Sequence, residues 1–225
     1  MLRAFFVRCN MKKTNVKKLV TLGMLAAVAY LLVVAVRIPV VLFLKYEPKD
    51  VAVTVAGFLF DPLSAFLVSL VVSLVEMVTI SDTGLIGAVM NLLSTCSFAC
   101  TAALIYKRKR SLSGAIGGLC AGSVVMVAVM LLWNWLLTPL YMGYPRAAVE
   151  ALLLPTFLPF NVLKAALNSL LTMALYKPLV TGLRKVGLLE NRPEATRGSK
   201  LGMYLFMGVL LITGVLLLLA LKGML

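Results

Sequence analysis

The sequence predicts an all-α polytopic membrane helical bundle, and three observations carry that reading. Of 225 residues, 62% are hydrophobic and 13% charged, against about 45–50% and about 25% in an ordinary soluble domain. The apolar residues fall in long runs. A bilayer core of about 30 Å needs about 20 of them per helix, and the runs suffice for six or seven crossings with no room for a soluble catalytic domain. Finally, the net charge of +14, from 22 Lys and Arg against 8 Asp and Glu, is clustered at the ends of those runs. The clusters are Arg3, Arg8, Lys12, Lys13, Lys17 and Lys18, then Lys107–Arg110, then Lys177, Arg184, Lys185, Arg192, Arg197 and Lys200. Excess Lys and Arg mark cytoplasmic loops. All three clusters are therefore placed in the cytoplasm together with the N-terminus, and the charge sets topology in a cell membrane rather than binding nucleic acid.

Residues 1–18 form the basic cytoplasmic N-terminus. Met11-Lys12-Lys13 opens a conventional cytoplasmic segment, so a chain begun at Met11 rather than Met1 is expected to suffice. Leu19–Val36 is the first spanning helix. Ala27-Val28-Ala29 looks like a signal-peptide cleavage site, but the apolar run continues past it, and a retained helix is expected. Gly23, Ala26 and Ala27 give this helix a small-residue face that either admits a partner's membrane helix or packs internally. Ile38–Asp50, apolar and then charged, is broken by Pro39 and Pro48 and is expected as an outer loop. Val51–Phe60 spans about 15 Å at about 1.5 Å rise per residue, too short to cross a relaxed bilayer, so neighbouring helices must shield it or it must tilt beside them.

Asp61-Pro62 reads as a helix start, the Asp accepting from freed amides and the Pro sitting where no donor is needed. Leu63–Ile80 then runs outward, Ser81–Gly84 turns, and Leu85–Tyr106 returns to the Lys107–Arg110 cluster. Leu112–Tyr141 runs outward, Met142–Leu154 is an outer loop, and Pro155–Tyr176 returns. This makes a six-helix membrane domain over 19–181. A cytoplasmic linker over 182–200 follows, centred on Arg192–Ser199, and then an additional transmembrane helix over 201–225, apolar from Met203 to Leu221. No internal repeat is evident, which weakens an inverted-repeat secondary carrier.

Polar side chains inside spans are costly, about 2.5–3.5 kcal/mol for a central charge, and so mark functional candidates. Asn161, Lys164 and Asn168, spaced i, i+3 and i+7, share one face of the sixth helix. Lys164 either snorkels to an interface or meets a partner or ligand; its distance from both helix ends favours the second. Asn134 offers an amide between Trp133 and Trp135, which serve either the ligand or an interfacial belt. Asn91, with Ser94 one turn on, adds a further amide. Glu76 is the only acid inside a predicted span, either at a ligand or at the outer surface. These groups gather in the outer half of the bundle beneath Ile38–Asp50, as in an outward-open apolar pocket with a few convergent polar groups.

Several chemistries are excluded. The chain has no His, which removes His-dependent metal sites, triads and relays. Cys9, Cys96, Cys100 and Cys120 form no C-x-x-C, the last three read as inert packing residues inside apolar runs, and no metal site is expected. With no G-x-x-x-x-G-K-[S/T] phosphate loop, the chain does not hydrolyse ATP itself. No G-x-G-x-x-G follows a strand and no nucleophile has a base, so no enzyme is expected.

Lys45-Tyr46-Glu47-Pro48-Lys49-Asp50, Gly57-Phe58 through Asp61-Pro62-Leu63, Ser81-Asp82-Thr83-Gly84 with Asn91, Trp133-Asn134, and Pro159-Phe160-Asn161-x-x-Lys164 follow one another in an order and spacing that resembles the S component of energy-coupling factor vitamin transporters, the riboflavin type in particular, over about residues 11–185. The resemblance implies a six-helix protein that captures riboflavin or a related flavin from outside, as cargo rather than cofactor. It also implies a membrane coupling subunit and two cytoplasmic ATPases as partners, with the loaded S component reorienting in the bilayer. By motif, Asn134, Asn161 and Lys164 correspond to ring-binding residues, and Asn91, Lys45 and Tyr46 to weaker carry-overs. The helix after Lys200 departs from the six-helix pattern. An S component for another small molecule and a solitary secondary carrier are the alternatives.

Overall fold

A computed structural model describes residues 2–187, apart from 42, 43, 82, 83 and 144, together with five isolated positions between 208 and 219. The described chain is mostly helical: α1 (Leu2–Ala35), a hairpin of β1 (Ile38–Val41) and β2 (Leu44–Tyr46), α2 (Lys49–Leu59), α3 (Pro62–Thr79), α4 (Gly84–Arg108), α5 (Leu112–Met142), the short α6 (Arg146–Leu152), a π-helical turn (Leu153–Phe157) and α7 (Leu158–Lys185). Five stretches, Val16–Ala35, Pro62–Thr79, Gly84–Arg108, Leu112–Leu140 and Arg146–Leu183, are long and apolar enough to cross a membrane. The α2 helix is not. Instead every residue from Lys49 to Phe58 is buried, because α1, α3, α4 and α7 surround it. That is the shielding its length demands.

The bundle is turned inside out relative to a soluble protein. On α3, Ser64, Ser69, Ser73 and Glu76 are buried, while Leu63, Leu67, Val71, Leu74 and Val78 face outward. Such an exterior is stable only where it meets lipid; inside, Ser64 bonds Asp61 and Glu76 bonds Lys49 and Asn91, while the Ser69 and Ser73 hydroxyls have no hydrogen-bond partner among the described residues. One core joins Leu25, Ala29, Val53, Ala56, Val68 and Ala99 of α1 to α4. A second joins Phe58, Phe98, Leu119, Met126, Met130 and Ala165 of α2, α4, α5 and α7. Leu44 of the hairpin packs with Val149, Phe157 and Phe160 in a third.

Close helix contact follows from small residues. Gly114, Gly118 and Gly122 repeat every four positions along one face of α5. A Cβ on Gly118 would lie 2.7 Å from the Ala102 carbonyl oxygen, and one on Gly122 2.5 Å from that of Phe98. The α4 and α5 backbones therefore touch, as in small-xxx-small membrane pairs. On α2, a Cβ at Gly57 would meet the Cβ atoms of Ala103 at 2.7 Å and Ala65 at 3.1 Å.

Helix starts follow their local signals. The Asp61 side chain accepts from the Ser64 N–H at 2.7 Å and the Ser64 hydroxyl at 2.9 Å, with Pro62 in the first turn. Ser111 caps α5 by accepting from Gly114 N–H at 3.2 Å, and Gly143, at φ +66°, ends it. Lys107 and Arg108 occupy the last turn of α4, where the helix dipole favours cations.

Some boundaries differ from expectation. The outer loop expected over Met142–Leu154 contains α6, and α6 runs through the π turn into α7, so the sixth pass begins at Arg146 and not at Pro155. Pro155 lacks an N–H, and the wider π turn carries the chain past it, with Leu158 N–H donating to the Leu153 carbonyl. The same pass continues through Pro178 to Lys185, into the segment expected to be linker. Gly23 and Ala27 of α1 face outward while Ala26 is half-buried against the first core, so internal packing accounts for only one of the three. Cys120, expected as a packing residue, is exposed. The linker beyond 187 and the additional helix expected over 201–225 lie outside the described residues, apart from the isolated positions noted.

If the α4–α5 contact is as close as the glycines indicate, Gly122→Ala overpacks it at a cost of about 1–3 kcal/mol. The melting temperature in detergent should fall, while Gly117→Ala, whose methyl would meet nothing within 4 Å, should not lower it. Asp61 supplies a pH-dependent test. Burial would raise its carboxyl, but the Lys18 ammonium at 2.8 Å and the Ser64 donors outweigh that and hold it below the ordinary range. A lowered carboxylate adds stability above its unfolded value of about 3.9 and loses it as pH falls through the folded value. Asp61→Ala should cost about 1 kcal/mol at neutral pH, and the gap to the parent should close below about pH 4 in thermal unfolding.

Candidate functional site

The basic clusters described lie at one end of the bundle; the hairpin, α6 and the π turn lie at the other. The candidate polar residues lie on the hairpin side of α3, α4, α5 and α7. What the sequence did not anticipate is the position of Glu47, Lys49 and Asp50. They do not hang in an outer loop: all three are buried, Asp50 completely. The chain turns inward after the hairpin, and α2 begins at Lys49 beneath it.

Two charge networks result. In the first, Arg37, just past α1, donates to Glu47 at 2.9 Å and to the Ile80 carbonyl at 2.9 Å. Lys49 bonds Glu76 and lies 3.4 Å from the second oxygen of Glu47. Asn91 donates to Glu76 at 3.2 Å. Glu76 is thus neither at the outer surface nor the only buried acid; it is a member of a balanced set. In the second network the Asp50 carboxylate accepts from Thr95 of α4 at 2.6 Å and Asn168 of α7 at 2.8 Å, with the Lys164 ammonium 3.5 Å away. Lys164 also donates to Ser94 at 3.1 Å. Snorkelling is excluded, since the ammonium turns inward. Tyr46 of β2 donates to the Asn168 side-chain oxygen at 3.1 Å, joining the hairpin to the network. Three cations, Arg37, Lys49 and Lys164, face three carboxylates, Glu47, Glu76 and Asp50, and removing one partner of such a buried pair costs about 3–5 kcal/mol.

Of the two asparagines, Asn161 precedes Lys164 by one turn on α7 and Asn134 lies on α5. Asn134 on α5 is fully buried and donates to the Met130 carbonyl at 2.7 Å, while its oxygen accepts from Thr138 at 3.0 Å. Asn161 on α7 donates to the Phe157 carbonyl, inside the π turn, at 2.8 Å. Met130 and Ala165 belong to one buried cluster. Asn134 is one turn from Met130 and Asn161 one turn from Ala165, each toward the hairpin, so both amides lie on the hairpin side of these cluster residues. Each amide is anchored by one N–H and retains a second.

The remaining candidates are more peripheral. Trp133 is half-buried against the second core. Trp135 is exposed, with its ring N–H on Glu150 at 3.0 Å and the Arg146 guanidinium 5.7 Å from its ring centre, as suits an interfacial belt. Lys45 is half-buried in β2 opposite Pro39. Sequence reasoning passed over Asp50, Lys49, Thr95 and Tyr46's tie to Asn168. The available signal was the shortness of Val51–Phe60: a helix that begins inside the membrane takes its first-turn charges inside with it. Among the described residues no group of three or more Cys, Asp and Glu is arranged to hold a metal ion.

Residues 17–176 match the profile of the ECF transporter substrate-specific component. The riboflavin transporter RibU of Staphylococcus aureus (strain TCH60) is 31% identical over 189 residues, 80% of this chain and 97% of that protein. The riboflavin transporter FmnP of Bacillus subtilis (strain 168) is 26% identical over 162 residues, 67% of this chain and 85% of that one. Among solved structures, the S component of a bacterial ECF transporter superposes with a TM-score of 0.64 at 30% identity, covering 76% of this chain and 99% of that chain.

Proposed function

The chain belongs to the substrate-specific components of ECF transporters, and from that premise we propose that it captures riboflavin outside the cell and delivers it with an energy-coupling module. The observation that supports this reading is the pair of buried amides, each anchored to its own helix, Asn134 on α5 and Asn161 on α7, with Lys164 one turn on from Asn161. A flavin ring presents a uracil-like edge of alternating carbonyl acceptors and one N–H. Asn134 and Asn161 meet it with their unused N–H groups, and Lys164 adds a cationic donor. Because each amide is already held by its own helix, little orientation is left to lose on binding. Phe157, Phe160 and Leu44 supply apolar surface nearby. Tyr46 is tied to Lys164 through Asn168 and Asp50, whereas Asn91 and Glu76 belong to the separate Lys49 network; Lys45 and Trp133 are further candidates of this reading.

The membrane coupling subunit and two ATPases are the partners of this reading, since this chain has no phosphate loop of its own. The outward Gly23 and Ala27, flanked by exposed Met24 and Val28, suit close approach by a helix of the coupling subunit. The basic end faces the cytoplasm and the hairpin end faces outward, with the last pass of the body running to Lys185.

Two measurements test this. Asn161→Ala should weaken riboflavin binding about tenfold to a hundredfold, a loss of about 1–3 kcal/mol, with the melting temperature little changed; flavin fluorescence quenching on the purified protein reads the affinity. Unchanged affinity in a folded variant removes Asn161 from the site, and failure of the parent to bind riboflavin while binding another vitamin favours a different S-component cargo. Reporter tags after Arg110 should be cytoplasmic and near Arg146 external; the reverse pattern overturns the orientation.

A further inference from the structure

We propose that Asp50 is a positioning residue for cargo binding, which holds the Lys164 ammonium toward the ligand and ties the hairpin to that same charge. The proposal rests on the riboflavin reading above. Asp50 is fully buried in the first turn of α2, where the positive end of the helix dipole favours a carboxylate. The other buried charges settle among themselves: Lys49 is taken by Glu76 and Glu47, and Glu47 also by Arg37. Among the described residues, Asp50 is thus the carboxylate that faces Lys164. Thr95 on one of its oxygens and Asn168 on the other fix its plane from two different helices.

This geometry has two consequences. Lys164 has three N–H donors; Ser94 takes one and Asp50 lies toward another, so among the described residues one remains for a ligand. Without the Asp50 charge, a lone ammonium at this depth would lean toward whichever acceptor or water it could reach, and the third donor would lose its aim. Second, Asn168 spends its amide nitrogen on Asp50 and its oxygen on the Tyr46 hydroxyl. The hairpin therefore registers against the same carboxylate that orients Lys164, and the roof and the binding group are set together.

A purely architectural ion pair would also be buried and well bonded, so the test must separate folding from aim. The full-length protein is purified in detergent as the parent, Asp50→Asn, Lys164→Met and the double variant. Riboflavin affinity is read by fluorescence quenching, the ring environment by the visible absorption of the bound flavin, and folding by thermal unfolding. Each single substitution should weaken affinity about tenfold to a hundredfold. Asp50→Asn on top of Lys164→Met should change it less than about threefold, because residues that act through one another are not additive. The bound-flavin spectrum of Asp50→Asn should match that of Lys164→Met and differ from the parent's. Where Asp50→Asn does not fold, Thr95→Val, which loosens Asp50 but keeps every charge, carries the same comparison: it should weaken binding beside Lys164 and have little effect beside Met at that position. Multiplicative losses in the double variant, or a parent-like spectrum with Asp50 neutral, overturn the proposal. A parent that binds no riboflavin instead removes the functional reading on which it rests.

Discussion

Burying charge inside a membrane constrains this fold more than any other requirement. A lone ammonium or carboxylate in hydrocarbon is expensive enough to eject the segment that carries it or to neutralise it, yet five such groups are buried in this bundle, with a half-buried Arg37 beside them. They persist because they are matched three against three, and because hydroxyls and amides from α4 and α7 take up further lone pairs. The matching dictates where elements go. Lys49 needs Glu76 of α3, Asp50 needs Thr95 of α4 and Lys164 of α7, and Arg37 needs Glu47 across the hairpin. The short α2 is the piece on which two of these pairings meet, since its first turn carries both Lys49 and Asp50.

Placing a helix of 11 residues at the centre of a bundle requires space on every side. That space comes from small residues: Ala52, Ala56 and Gly57 on α2, Ala65 on α3, Ala99 and Ala103 on α4. At the other side of α4 the Gly118 and Gly122 contacts bring α5 against it, and Ser123 and Ser169 join α5 to α7 at 3.3 Å. Close backbones raise dispersion contact in a solvent that supplies no hydrophobic drive between helices. The charge network and the glycine seams are therefore complementary: one sets which helices must meet, the other how near they come.

Most of the architecture was legible in the sequence because apolar length and basic flanks are strong signals in a membrane. The helix start at Asp61-Pro62, the need to shield Val51–Phe60 and the shared face of Asn161, Lys164 and Asn168 all follow from local rules and are found in the structure. The failures have a common physical origin. Charge next to proline reads as loop, so Glu47, Lys49 and Asp50 were put outside, although their burial depends on partners up to 118 positions away in the chain. Proline reads as a boundary, so the sequence starts the sixth pass at Pro155, where a π turn carries the helix through. The Gly114–Gly118–Gly122 seam is also legible, as small residues every four positions, but the pattern does not say which helix it meets; the structure sets it against α4.

The networks also bear on how such a site selects its cargo. Arg37, Lys49 and Lys164 are each answered by a carboxylate, so the interior carries no surplus field to draw in an anion or repel a cation. In the proposed site, discrimination would rest on the placement of donors: the second N–H of Asn134 and of Asn161 and the remaining N–H of Lys164. A site of this kind rejects a ligand that lacks matching acceptors more firmly than one that differs by a methyl group, because unmatched buried donors cost more than a small gap. The rigidity of the surrounding pairs is then part of recognition. Amides and an ammonium that were free to turn would accept many partners, and it is their fixed bonds to Phe157, Met130, Ser94 and Asp50 that narrow the choice.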